Sequence, residues 1–101
     1  MKKTNQSKKI SDEYGSGKNL AGKWFNHYLN TGTCNPGGSE SQIYCEVVAS
    51  VIRANEPITK EKSDLIRKIK EDKNTSFYDG VCDFLLEKIK EYSQSSLISS
   101  A

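Results

Sequence analysis

Apolar positions in this chain are sparse and recur at helical spacing. From Ser39 to Ala54, SESQIYCEVVASVIRA, the residues Ile43, Val47, Val48, Val51 and Ile52 fall at i, i+4, i+5, i+8 and i+9, which lines one side of a helix with 3.6 residues per turn. The adjacent pair Val47–Val48 breaks the alternation a strand needs, so helix outweighs the β-branched content. Ser39 followed three residues later by Gln42 predicts a capping box, and Asn55-Glu56-Pro57 predicts the stop. Before this stretch, Leu20 to Leu29 places Leu20, Trp24, Phe25, Tyr28 and Leu29 on one side of a short helix. A helix of that length persists only when docked. Between the two, NTGTCNPGG is dense in turn formers and reads as a flexible loop.

Thr59 predicts the cap of a third helix over about Lys60 to Asp72, with Leu65, Ile66 and Ile69 as its apolar side. Ion pairs Asp64–Lys68, Arg67–Glu71 and Lys68–Asp72 are available along it. Ser76 with Asp79 starts a fourth helix running to about Tyr92. Its apolar positions Phe77, Val81, Leu85 and Ile89 follow one line, widened by Phe84, Tyr92, Cys82 and Leu86. The expected architecture is all-α: a short N-terminal helix plus three amphipathic helices. Residues 1–18 read as a disordered basic arm, 19–92 as the helical domain and 93–101 as a disordered tail.

The faces of helices two and four are wider than one neighbour covers, which predicts an intertwined homodimer. Its expected seam is Ile43, Val47, Val48, Val51, Ile52, Val81, Phe84, Leu85 and Ile89. Along helix four, Asp79, Asp83, Glu87 and Glu91 recur every four residues, where like charges repel. This acidic stripe reads either as a solvated face or as the docking site of a basic partner, namely a regulatory protein or the basic side of helix three.

Fifteen Lys and Arg against thirteen Asp and Glu leave a net charge of +2, far from the excess on which a dedicated nucleic-acid binder relies. Cysteines 34, 45 and 82 are odd in number and lack CxxC spacing, so neither a disulfide framework nor zinc is indicated. Their expected state is reduced. His27 is the single histidine and has no clustered partner for metal or acid–base work. The fragment GSGK at Gly15 to Lys18 fails as a phosphate loop, with Asp12 where the first glycine belongs and Asn19 in place of Ser or Thr. No catalytic, cofactor or metal site is expected. With neither an apolar h-region nor a bilayer-length run, the expected location is the cytoplasm, with no membrane partner.

From Leu20 to Tyr92 the chain resembles the enterobacterial biofilm-development regulators of the YmgB/AriR type, the two-component-system connectors. The resemblance rests on WFNHYL, the ES-led helix at Glu40 to Ile52 with its EVV segment, the Lys-containing turn at Ile58 to Lys62, LIRKI at Leu65 to Ile69, and the amphipathic segment from Asp79 to Lys88. It implies a homodimeric, non-enzymatic regulator in biofilm formation and acid or stress response. Such a protein acts on a signalling or transcription-regulator partner. The alternative is direct DNA binding through Lys60, Lys62, Arg67 and Lys68 with the arm's lysines. The acidic Glu61, Asp64, Glu71 and Asp72 share that helix and oppose it.

Overall fold

The computed structural model describes the backbone of residues 2–100 and the side chains of residues 12–93. All four elements are helices: α1 (Lys2–Thr31), α2 (Glu40–Arg53), α3 (Lys60–Lys73) and α4 (Ser76–Ser100). Ends are set by local chemistry. The Ser39 hydroxyl accepts from the Gln42 amide at 3.3 Å to open α2, and Thr59 does the same for the Lys62 amide at 3.4 Å to open α3. The capping box is only half formed, because the Gln42 side chain turns away to the Asn35 carbonyl and Glu46. At α4 the cap is Thr75 rather than Ser76, its hydroxyl accepting from the Tyr78 amide at 3.2 Å. Asn55 and Asn74 take left-handed backbone after α2 and α3, a conformation that asparagine tolerates and that ends helices.

Helix α1 corrects the expected arm. It extends well before Leu20, and residues 12–18 are helical and packed, so no boundary falls at Lys18. The reason lies in two glycines on facing helices. A Cβ on Gly17 would overlap the Phe77 carbonyl, and one on Gly80 would overlap the Tyr14 carbonyl. With hydrogens there instead, α1 and α4 meet backbone to backbone. Tyr14 and Lys18 flank the crossing and bond to Asp83 and Glu87. The side chains of residues 1–11, including the arm's lysines, lie outside the described residues, as do those beyond Ser93. The α4 backbone itself continues as helix past the expected tail boundary.

Helix α4 is the hub: α1, α2 and α3 all pack on it, and α1 also packs on α2. The core comprises Ala21 and Phe25 from α1, Cys45, Val48 and Ala49 from α2, Ile66 from α3, and Val81, Cys82, Leu85 and Ile89 from α4. Phe25 meets Phe84 edge to face at 5.6 Å, the arrangement favoured by the ring quadrupoles. The wide face of α4 is therefore covered within the chain, chiefly by the longer α1. Of the apolar side expected for α3, Ile66 is buried and Ile69 half-buried, but Leu65 is 55% exposed.

Candidate interaction surface

The outward side of α2 departs most from what a surface helix carries. Ile43 is 49% and Val47 45% exposed, with Ser50 and Val51 partly exposed beside them. Between Ser41 and Ile52 the single charged residue is Glu46, and it is 7% exposed and points inward. For three turns the solvent side of this helix is thus uncharged, in a chain that is 28% charged overall. An amphipathic surface helix puts its charges there. A helix that is apolar on both sides, with only one side covered, has a face for a partner.

The structure divides the expected seam in two. Val48, Val81, Leu85 and Ile89 are core residues, 0–6% exposed, so they are not available to a second molecule while the chain is folded. Phe84 and Ile52 are half-buried against that core. Ile43, Val47 and Val51 remain on the outside. Within the single chain, the cover over the buried four comes in large part from the length of α1, which reaches further than a ten-residue helix would.

The acidic stripe is largely answered inside the molecule. Asp83 accepts from Tyr14 at 2.6 Å and from Lys70 of α3 at 2.7 Å, and Lys18 lies 2.8 Å from Glu87. Burial pushes the Asp83 carboxyl up, but the bonds from Lys70 and Tyr14 outweigh it and hold the group below its ordinary value. The same contacts raise Lys70 and Tyr14. Glu91 pairs with Lys88 one turn back at 3.4 Å. Asp79 lines a hollow of about 490 Å³ with Arg67, Lys70 and Glu71. Of the two expected partners for the stripe, the basic side of α3 is the one that meets Asp83. None of the three ion pairs expected within α3 forms among the described residues; Arg67 turns to Asp64 instead at 3.1 Å.

Two further polar nodes tie elements together, and neither is visible in the spacing. Glu40 accepts from Lys73 at 2.7 Å, Tyr44 at 3.1 Å and Tyr78 at 3.3 Å, which joins the start of α2 to the end of α3 and the first turn of α4. The lysine bond in particular holds its carboxyl low. Glu46 accepts from the Asn35 amide at 3.1 Å and Gln42 at 3.0 Å, and a bond to Glu46 raises the exposed Cys34 thiol. The loop expected to be flexible is thereby tethered to α2. Arg53 completes the tether by donating to the Leu29 carbonyl at 2.8 Å.

The three cysteines are free, Cys34 exposed and the other two buried. Burial pushes Cys45 up to about 12 and Cys82 up to about 11, so both are inert thiols where they sit. Among the described residues no cluster of His, Cys, Asp and Glu has metal-site geometry, and no helix is long and apolar enough to cross a membrane. Of the residues of the DNA-binding alternative, Lys60, Arg67 and Lys68 are exposed and lie within about 100° of one another around α3, while Lys62 is about 200° from Lys60 at 100° per residue. No family model, curated protein or solved structure matches the chain.

Proposed function

We propose that this protein is a small regulatory connector that works by protein–protein contact and pairs with a second copy through α2. The observation that carries the reading is the uncharged, half-exposed stripe of Ile43, Val47 and Val51. A two-fold axis near Val47 sets two such helices antiparallel, with Ile43 of one copy against Val51 of the other. Self-pairing brings no like charges together, because the stripe has none, and the antiparallel helix dipoles are complementary. The resemblance to biofilm-development connectors supports the same picture and suggests the setting: biofilm formation and acid or stress response in the cytoplasm, through a phosphorelay or transcription-regulator partner. The acidic residues Glu61, Asp64, Glu71 and Asp72, interleaved with the cations of α3, give direct DNA binding less support.

Sedimentation equilibrium at micromolar concentration tests the pairing. The unsubstituted chain is expected to be dimeric and Val47→Lys monomeric with unchanged helicity, since a lone charge in an apolar contact is not tolerated. A monomeric parent protein would remove the basis of the reading. Pull-downs with the dimer and with Val47→Lys then show whether partner capture needs pairing. A gel shift over a salt series separates the DNA alternative, which requires a steep salt slope.

A further inference from the structure

The geometry points to α3 as a latch that lifts from α4 as a unit while α1, α2 and the rest of α4 stay closed. Its hold on the molecule differs in kind from that of the other helices. Only Ile66 of α3 is buried, whereas α2 buries Cys45, Val48 and Ala49, and α4 buries Val81, Cys82, Leu85 and Ile89. Ten of its fourteen residues are charged. Among the described residues its helix-to-helix packing is on α4, and its one tie to α2 is the Lys73–Glu40 ion pair. Two half-exposed ion pairs fasten it at its C-terminal half, Lys70–Asp83 and Lys73–Glu40, both 2.7 Å.

The surrounding chain favours movement of the whole helix. Connections with a left-handed asparagine bound it on both sides, Asn55 before and Asn74 after. The leading connection is pinned to α4 by the Tyr92 hydroxyl, which donates to the Glu56 carbonyl at 2.8 Å. A hollow of about 470 Å³, lined by Ser63 and Arg67 of α3 and by Leu86 and Ile89 of α4, already undercuts the contact. Local opening draws on regions with few buried apolar contacts and solvent-exposed polar fastenings, and α3 has both features. Raising it uncovers the α4 side formed by Cys82, Leu86 and Ile89. This inference does not depend on how α2 is used.

Two buried thiols report on the motion. Cys82 lies on α4 close enough to Lys70 to feel its charge, while Cys45 lies on the inward side of α2. In a Cys34→Ser background, alkylation with N-ethylmaleimide, whose thioether cannot exchange with the neighbouring thiol, and then peptide mapping follow each thiol separately. Cys82 is expected to label at least about tenfold faster than Cys45, because its exposure needs only local opening. Ionic strength near 0.5 M is expected to speed Cys82 and leave Cys45 unchanged, since half-exposed pairs are screened. Lys70→Gln and Lys73→Gln are each expected to speed Cys82 by about twofold to fivefold, the worth of an exposed pair. Equal rates at the two thiols, or a Cys82 rate indifferent to salt and to both substitutions, would overturn the proposal. Hydrogen exchange on the unsubstituted chain is a check that needs no variant: amides of 60–73 are expected to exchange faster than those of α2 and of 77–92, increasingly so with salt, and uniform protection refutes the latch.

Discussion

Gly80 has a role that no larger residue can fill: it lets the Tyr14 carbonyl of α1 come down onto α4, as Gly17 does for the Phe77 carbonyl. In an exposed helix, Gly→Ala normally stabilises by about 1 kcal/mol. Here the overlap is with backbone, which cannot step aside, so Gly80→Ala is expected to destabilise by about 1–3 kcal/mol, the usual cost of overpacking. Urea denaturation measures this, and a stabilised variant would show that the helices are not in contact there. At this scale the sequence was only partly legible. GSGK draws attention as a phosphate-loop fragment, and rejecting that motif leaves Gly17 without a task. The task depends on the Phe77 carbonyl, 60 positions away. Glu46 is similar: a lone acid in an apolar stretch is conspicuous, but its bonds go to a loop whose path local pattern does not encode.

At the scale of elements, the positions of α2 and α3 were readable to within a residue or two, because Ser39, Thr59 and Pro57 act locally. The length of α1 was not. Residues before Leu20 are polar, and their helix is held by a crossing and by the bonds of Tyr14 and Lys18, all long-range in sequence. The same length bears on burial elsewhere: four of the nine residues expected at the seam are sealed within their own chain. The acidic stripe of α4 predicts a pH response with a defined sign. The Asp83 carboxyl is held below its ordinary value in the folded chain, so it contributes stability above the unfolded carboxylate range. That contribution is lost as pH falls below about 4 toward the folded value. Unfolding midpoints are expected to drop over this interval, with a shallower slope in Asp83→Asn. Some slope remains in that variant because Glu40 is shifted in the same direction. An identical slope would place the acid sensitivity elsewhere.

Across the whole molecule, α4 organises three neighbours that differ in how they are fastened: α1 by backbone contact and aromatic packing, α2 by buried apolar and polar groups, α3 by one isoleucine and two lysines. All-helical architecture was legible from periodicity alone. Which faces are spare was not, because that depends on how much cover each helix receives from segments distant in sequence. The uncharged outer face of α2 is the basis for expecting Val47→Lys to abolish self-association while leaving unfolding of the isolated chain little changed. If the substitution also collapsed the fold, Val47 would have an internal role that its exposure does not suggest.

The paired glycines also limit how the chain can change in length. Each residue added to a helix turns everything beyond it by about 100°. A one-residue insertion between Gly17 and Phe25 would therefore either swing the notch away from α4 or pull the phenylalanine out of its pocket. Point substitutions on the outer side of α1 leave that alignment intact. The outer side of α1 is thus expected to drift in composition while the helix keeps a fixed count of residues from notch to aromatic ring.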